Sequence, residues 1–331
     1  MTVSIKDIAQ RANVAPSTVS RALKNHPRIS EQMRQQIQTL AKEMGYVPSE
    51  AARRLVGQAS PTIGVAIPDF TDPFYMNMLG GIEEVAIAHN HELFVGSFNR
   101  DRQRERKLFD AFDQKRLAGI VVAGSLVDDA FLNHKPTDVP AVLVNHYKYP
   151  FSVAVDQKKG VAKAVNHLIS LGHRHIAYVS LGTLSSSDRL RFEGYKETIE
   201  AAGLPADPRW VVAGDGGITG GLTAVSHLLT LSVPPTAIIC YNDRTAIGVI
   251  HSLHQHGHIV PEDISVVGFD DLEIAEYFLP PLTTVRQPHA HLGRQAAEKL
   301  FALIHGASVQ AELLEPELIR RGSTGSVNSK Q

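Results

Sequence analysis

Apolar positions in the first 44 residues recur with the spacing of short amphipathic helices. Three helices are predicted, over 5–12, 16–23 and 31–44. Their apolar stripes are Ile5, Ile8 and Ala9 in the first, Val19, Ala22 and Leu23 in the second, and Ile37, Leu40 and Met44 in the third. Three such stripes can close one small core. The opposite side of the second helix, with Ser17 and Arg21, then faces outward as a short, cationic surface that suits the major groove of DNA.

After a linker at 57–61 the pattern changes to short apolar runs that alternate with helical stretches. The runs are 63–67, 92–96, 119–123, 141–144, 175–179, 210–212, 237–240 and 264–268, and they read as fully buried parallel strands. The intervening helices are 74–89, 103–115, 161–171, 192–202, 220–231 and 245–256. This alternation predicts two α/β units of similar design, and the pattern alone leaves open whether they are independent domains.

Charge is unevenly distributed along the 331 residues. Residues 1–57 hold nine Lys or Arg against four Asp or Glu, whereas the remainder holds 24 basic against 30 acidic residues. A cationic head joined to an anionic body is typical of a nucleic-acid-binding module attached to another function.

The compartment is expected to be the cytoplasm. Cys240 is the only cysteine and lies in a predicted strand, so no internal disulfide can form and a reducing environment is indicated. The amino end does not read as a signal peptide, and no apolar run reaches membrane-spanning length.

Ligands of parallel α/β sheets bind at the carboxyl ends of the strands, so polar residues there are the candidate ligand-binding residues. They are Asp69, Phe74, Ser125, Asp156, Arg189, Arg191, Asn242, Phe269 and Asp270. Carboxylates, an amide and guanidinium groups beside an aromatic ring predict a site for a sugar, because hydroxyls both donate and accept hydrogen bonds.

The motifs resemble those of the lactose/galactose repressor (LacI/GalR) family over nearly the whole chain. They are 3–9, 14–23, 46–48, 51–55, 63–65, 171–177, 242–243, 266–271 and 282–285, in the order the family shows. The resemblance implies an all-α helix-turn-helix head at 1–48 and a hinge helix with linker at 49–61. It further implies a periplasmic-binding-protein-like body of two Rossmann-like lobes, 62–157 plus about 287–318 and 158–286 plus the carboxyl-terminal tail.

The resemblance also implies how the head binds DNA. The expected DNA-binding residues are Ser4, Pro16, Ser17, Thr18, Ser20, Arg21 and Asn25 in the head and Ala52, Arg53 and Leu55 in the hinge. Arg21 would contact a guanine edge, and Leu55 would act as a wedge in the minor groove. We expect a homodimer on a pseudo-palindromic operator, since no terminal leucine heptad is present to pair dimers.

By motif position, Arg191, Asn242 and Asp270 match residues that the family uses to hold its effector, and Phe74 and Asp156 match less securely. One stretch departs from the pattern, because 214–217 carries no aromatic ring where many relatives place one. Tyr147 or Phe74 could cover the ligand instead. The implied function is an effector-controlled repressor of a carbohydrate uptake or catabolic operon.

Two other function classes are weighed against this. One is a sugar-metabolising enzyme with an α/β core, and the other is a transport-type sugar-binding protein, against which the basic head argues. The histidines at 251, 254, 256 and 258 read as a solvated helix end, and the glycine-rich run 214–221 lacks the Gly-Lys-Ser/Thr of a phosphate loop. We therefore expect no catalysis, no cofactor and no metal.

Overall fold

A computed structural model describes residues 3–46, 61–127, 139–182 and 185–327. The chain divides into two compact units, a head within 1–60 and a body within 61–331. The predicted hinge and linker at 49–61, with Ala52, Arg53 and Leu55, lie outside the described residues except for Pro61.

The head contains the three helices that the apolar spacing predicts: α1 (Ile5–Ala12), α2 (Pro16–Leu23) and α3 (Glu31–Glu43). Their starts follow from local chemistry, since Ser4 and Ser30 cap α1 and α3 and Pro16 occupies the first position of α2. One small apolar core joins the three, and its buried members are Ile8, Ala9, Val19, Ala22, Ile37 and Ala41.

Within the described part of the body, strands and helices alternate. The strands are β1 (Thr62–Ile67), β2 (Glu92–Ser97), β3 (Ile120–Ala123), β4 (Ala141–Val144), β5 (Ser152–Val155), β6 (Ile176–Ser180), β7 (Val211–Ala213), β8 (Ala237–Cys240), β9 (Ser265–Asp270), β10 (Thr283–Arg286), β11 (Glu312–Leu314) and β12 (Glu317–Ile319). The helices are α4 (Pro73–Ala88), α5 (Arg102–Gln114), α6 (Gln157–Ser170), α7 (Ser186–Ala201), α8 (Ile218–Leu228), α9 (Asp243–Gln255), α10 (Glu273–Tyr277) and α11 (His289–Ile304).

The strands form two six-stranded sheets, each the centre of one lobe. The first runs β11-β5-β4-β3-β1-β2 and the second β12-β10-β9-β8-β6-β7. Every pairing is parallel except β10 with β12. Strands β3, β4, β8 and β9 are buried throughout, because helices cover both faces of each sheet.

The chain passes between the lobes more than once. After β10 in the second sheet, α11 packs against α4 of the first lobe, and β11 then joins the first sheet. Strand β12 returns to the second sheet, so the segment returning to the first lobe ends before Glu317, slightly earlier than the expected limit of about 318.

Several elements differ from the sequence predictions. The run at 92–96 is predicted to be a fully buried strand, but β2 lies at the sheet edge and each of its residues is exposed or only partly buried. Helices α6 and α7 start four and six residues before their predicted starts, because Asp156 and Ser185 cap polar first turns that the apolar periodicity does not reveal. Residue 210 belongs to a short 3₁₀ helix, so β7 begins at Val211.

Two adjacent glycines of α4 test how tightly this helix packs on α11. A Cβ at Gly81 would lie 2.1 Å from the backbone oxygen of Ala290, whereas a Cβ at Gly80 would meet nothing within 4 Å. We expect Gly81→Ala to lower the free energy of unfolding by about 1–3 kcal/mol, because the helices must move apart. Gly80→Ala should raise it by about 0.5–1 kcal/mol through helix propensity. Urea unfolding followed by Trp210 fluorescence measures both, and equal effects would contradict the tight contact.

Candidate functional site

The exposed side of α2 is the first candidate site. Val19 and Ala22 are buried in the head core, whereas Ser17 and Arg21 are exposed and Thr18 is half-buried. Ser20 is half-buried as well, and Pro16 and Ala15 are exposed at the helix start, where no side chain caps the backbone amides. Hydroxyls and a guanidinium on one exposed helix face can bind phosphates and base edges.

Two other predicted DNA-binding residues have partners within the head. The Ser4 amide and hydroxyl both donate to Asp7 at 2.7 Å, which completes a capping box on α1 and holds the pKa of Asp7 below its ordinary value. Asn25 adopts a left-handed backbone conformation (φ 55°), and its side-chain oxygen accepts a hydrogen bond from Gln38 at 2.9 Å. Both residues stay exposed, so these contacts orient them without covering them.

The second candidate site is a cleft between the two lobes of the body, at the carboxyl ends of their strands. We call it the interlobe cleft. Two adjoining pockets make up the cleft, and they share the lining residues Tyr75, Arg100, Asn145, Ser187 and Tyr241. The lining of the cleft includes Asp72, Phe74, Tyr75, Arg100, Ser125, Asn145, Ser187, Arg191, Tyr241, Asn242, Asp270 and Gln287.

Arg191 is the buried charge at the base of the cleft. Its guanidinium lies over the ring of Phe269 at 3.7 Å and over that of Tyr241 at 4.4 Å. Its Nε donates to Gln157 Oε1 at 2.6 Å, and its Nη1 donates to the backbone oxygen of Tyr241. Its Nη2 lies 3.7 Å from Asp270 Oδ1, which supplies the opposite charge.

Asp270 is held by a chain of amides. Gln287 donates to its Oδ1 at 2.6 Å, and Gln157 in turn donates to Gln287 at 3.1 Å. Burial raises the pKa of Asp270 well above its ordinary value, and Arg191 opposes that shift. Its backbone φ of 129° is strained for a residue other than glycine, so the position is fixed at some energetic cost.

Ion pairs also cross the cleft from one lobe to the other. Arg244, on α9 of the second lobe, lies 3.7 Å from Asp69 and 3.9 Å from Asp72 of the first lobe. Arg100 of the first lobe lies 3.7 Å from Asp72 and approaches Gly216 of the second lobe. The lobes are thus linked electrostatically around the cleft as well as by the chain itself.

Three predicted effector-binding residues lie elsewhere. Arg189 is exposed on the outside of α7 and pairs with Glu193 at 3.0 Å. Asp156 caps α6 by accepting from the Lys159 amide, and it does not line the cleft. Phe269 is 1% exposed and packs beneath Arg191, so it supports the site without forming its wall.

Other predicted residues reach the cleft but already have partners. Asn242 caps α9 through the Thr245 amide and donates to the Gly216 oxygen at 2.9 Å. The Ser125 hydroxyl donates to the buried carboxylate of Glu105 at 2.6 Å. Phe74 lines the cleft. Asp69 borders the cleft, where it accepts a hydrogen bond from the Thr71 amide and faces Arg244.

Sequence reasoning missed several cleft residues, namely Asp72, Tyr75, Arg100, Asn145, Ser187, Tyr241 and Gln287. The rule of strand ends would have found Asn145 and Tyr241, which directly follow β4 and β8. Residues 214–217 contribute no ring, and the described lining of the cleft includes the rings of Phe74, Tyr75 and Tyr241. Tyr147 does not line the cleft, and its hydroxyl donates to the Val155 oxygen at 2.7 Å.

The histidines near the end of α9 do not form a metal site with other ligands. His251, His254 and His256 are exposed, and His256 Nδ1 lies 2.8 Å from the Ser252 oxygen. Over the described ranges, no group of three or more His, Cys, Asp or Glu side chains is arranged to hold a metal ion. Across the same residues, no helix is both long enough and apolar enough to cross a membrane.

Two family models match the chain, and they fall on different parts of it. The model for bacterial regulatory proteins of the lacI family matches residues 4–49, which cover the three helices of the head. The model for the periplasmic binding protein-like domain matches residues 165–324 of the body.

Relatives match the chain along almost its whole length. The HTH-type transcriptional repressor CytR of Escherichia coli (strain K12) is 33% identical over 327 residues, which are 97% of this chain and 96% of the relative. The HTH-type transcriptional regulator GalR of the same organism is 33% identical over 98% of this chain and 96% of its own length.

Solved structures of regulators also match the chain over nearly its whole length. The lac repressor dimer bound to operator and the anti-inducer ONPF matches with a TM-score of 0.88 and 28% identity, over 98% of this chain and all of that one. The transcriptional regulator CelR in complex with cellobiose matches with a TM-score of 0.73 and 27% identity, over 97% of this chain and 99% of that one.

Two arginines of α7 allow the effects of a buried charge and an exposed charge on stability to be compared. We expect Arg191→Ala to lower the free energy of unfolding of the body by about 3–5 kcal/mol, because Asp270 loses its counter-charge in a buried setting. Adding Asp270→Asn should restore part of that loss. Arg189→Ala should stay within about 0.5 kcal/mol, since its pair with Glu193 is exposed. Urea unfolding of the unaltered protein and the three variants measures these effects. A large loss of unfolding free energy in Arg189→Ala would contradict the exposed position of Arg189.

Proposed function

The chain belongs to the lacI family of bacterial regulatory proteins and is a DNA-binding transcriptional regulator, and we propose that it represses a carbohydrate uptake or catabolic operon under the control of a sugar-like effector. The observation that carries this proposal is the pairing of two features in one chain. An exposed polar and cationic helix face occurs in the head, and a polar cleft between two lobes occurs in the body.

Recognition of DNA is proposed to centre on α2. With Val19 and Ala22 packed inward, Ser17 and Arg21 are free to meet base edges in the major groove, while Thr18, Ser20 and the helix start contact phosphates. Arg21 has no ion-pair partner among the described residues, so its guanidinium is available for a guanine. Ser4 and Asn25 contribute at the margins of this surface.

The effector is proposed to bind in the interlobe cleft and to change the affinity for DNA. Because Arg244 of the second lobe faces Asp69 and Asp72 of the first, a ligand seated beside these groups alters the free energy of the lobes' arrangement. A ligand shifts the DNA-competent state only by its difference in affinity for the two states, typically ~1–3 kcal/mol. We propose that the effector releases DNA, as expected of a sugar-responsive regulator.

The active form is proposed to be a cytoplasmic homodimer on a pseudo-palindromic operator. A second copy of the chain would cover the apolar side chains that α10 and the loop after it expose, since Ile274, Tyr277 and Leu279 are 48%, 70% and 83% exposed. The matching lac repressor structure is itself a dimer bound to operator. Two heads on one dimer require two half-sites related by two-fold symmetry.

Removing the guanidinium of Arg21 separates specific from non-specific binding. We expect Arg21→Ala to weaken binding to the preferred palindromic duplex by ~1–3 kcal/mol, because a bidentate guanine contact is lost. Binding to random duplex should weaken only slightly, since phosphate contacts supply that affinity. The measurement is fluorescence anisotropy at fixed salt, on a duplex selected from a random library. An equal loss on both duplexes would reduce Arg21 to a phosphate contact, and no palindromic preference in the unaltered protein would refute the proposed function.

A charge placed on the exposed apolar surface tests the dimer. We expect Leu279→Asp to be monomeric and to lose its preference for two half-sites over one, because an unpaired carboxylate would be buried between the copies. Size-exclusion chromatography with light scattering gives the oligomeric state, and anisotropy on single and paired half-sites gives the preference. A Leu279→Asp protein that remains dimeric would place the interface elsewhere.

A further inference from the structure

The charges around the interlobe cleft are balanced within the protein itself. Among the residues that the structure describes, three guanidinium groups line or border the cleft, those of Arg100, Arg191 and Arg244. Each lies 3.7–3.9 Å from a carboxylate. The partners are Asp72 for Arg100, Asp270 for Arg191, and both Asp69 and Asp72 for Arg244. The described lining contributes no lysine or histidine, so it leaves no spare cation for an anionic ligand.

Four helix starts near the cleft have a first-turn amide bound to a side chain of the protein, and on α7 this is the Asp188 amide, which donates to the Ser185 hydroxyl. A helix N-terminus is the usual place for a phosphate, because its first amides lack backbone partners. Here the amide of Phe74 on α4 donates to Asp72, and that of Thr245 on α9 donates to Asn242. On α8, the amide of Gly220 donates to the Asp215 carboxylate. These caps include two carboxylates, which would repel an incoming phosphate.

From these two observations we propose that the effector is an uncharged, polyhydroxylated molecule, such as a free sugar or a glycoside, and that the cleft rejects its phosphate esters and acids. The inference rests on the proposed function, because it takes the cleft as the effector site. It narrows the effector from any sugar derivative to the unphosphorylated ones.

The spacing of the ion pairs suits hydroxyl groups. Nitrogen–oxygen separations of 3.7–3.9 Å exceed those of a direct hydrogen bond, so the cations and carboxylates face each other without saturating each other. A hydroxyl can accept from a guanidinium and donate to the neighbouring carboxylate at once. The rings of Phe74, Tyr75 and Tyr241 offer surface for the C–H faces of a sugar ring.

The buried carboxylates of the cleft disfavour a bound anion. Asp72 and Asp270 are 4% exposed each, and burial raises the pKa of both carboxyls. A phosphate placed beside them adds like charge where charge is already poorly solvated, and it competes with Asp72 and Asp270 for the positive charge of Arg100 and Arg191. The cleft therefore discriminates by charge as well as by shape.

The test compares neutral sugars with their own phosphate esters and uses inorganic phosphate as a second probe. Thermal unfolding is followed by Trp210, the single tryptophan, which is buried in the second lobe and reports on the body alone. We expect a sugar of the panel that binds to do so at least about tenfold more tightly than its ester. Inorganic phosphate should not raise the Tm above that in chloride of the same ionic strength. An ester that binds better than its parent, or a phosphate-dependent rise in Tm, would overturn the proposal.

Neutralising the cleft carboxylates one at a time tests the same proposal, because each change is expected to let phosphate bind. In Asp72→Asn the cap on α4 is kept, because asparagine is an equally good N-cap, but Arg100 and Arg244 lose a counter-charge. Phosphate should then raise the Tm of this variant and leave that of the control Asp110→Asn, an exposed residue of α5, unchanged. Asp69→Asn, which is only half-buried, should show a smaller rise and serves if Asp72→Asn fails to fold. The absence of any rise in both variants would contradict the charge balance.

Failure of this inference and failure of the proposed function give different results. Operator binding is measured by anisotropy on the same preparations without any sugar. A protein that prefers a palindromic duplex but binds a phosphate ester keeps the proposed function and loses this inference. A protein without operator preference whose cleft still rejects phosphate loses the proposed function and keeps the charge discrimination of the cleft.

Discussion

The buried guanidinium of Arg191 is the contact on which the geometry of the cleft depends. A charge that is 3% exposed is tolerated only when hydrogen-bond partners and a counter-charge stand nearby. Arg191 meets this condition by drawing together Gln157 at the start of α6, the backbone after β8, and Asp270 at the end of β9. Gln287 extends the chain of contacts to the segment that leads back into the first lobe. The ends of several strands are thereby fixed by one side chain.

The first lobe contributes charged groups of its own to the cleft. Asp72 caps α4 within its own lobe and also faces Arg244 of the other. The same carboxylate therefore serves helix formation and lobe contact, and a ligand that engages it acts on both. Because the pairs of Arg244 with Asp69 and Asp72 are longer than direct hydrogen bonds, they attract the lobes to each other without fixing them. Such a contact can be strengthened or weakened by a small molecule, which is what coupling between a cleft and a DNA-binding head requires.

Much of the fold followed from the sequence, and the failures have physical reasons. Apolar runs located the buried strands, but the edge position of β2 depends on which strands pair, and a run of apolar letters does not show that. Arg189 and Arg191 look equivalent in the sequence, yet residues two apart on a helix point to different sides. Likewise Phe269 and Asp270 are adjacent on a strand, where successive side chains face opposite ways, so only one reaches the cleft. Partners such as Arg244 and Asp72 are far apart in the chain and required the tertiary structure.

The same residue type serves opposite purposes in the two units of this chain. In the head, Arg21 is exposed and has no carboxylate near it among the residues described, so its charge is available to a polyanion. In the body, Arg100, Arg191 and Arg244 each lie near a carboxylate, so the charge of each is balanced within the protein. A guanidinium keeps its planar set of donors whether or not its charge is balanced. Under the proposed function, neutralisation by neighbouring carboxylates would separate the recognition of a phosphate backbone by the head from the recognition of hydroxyl groups by the cleft.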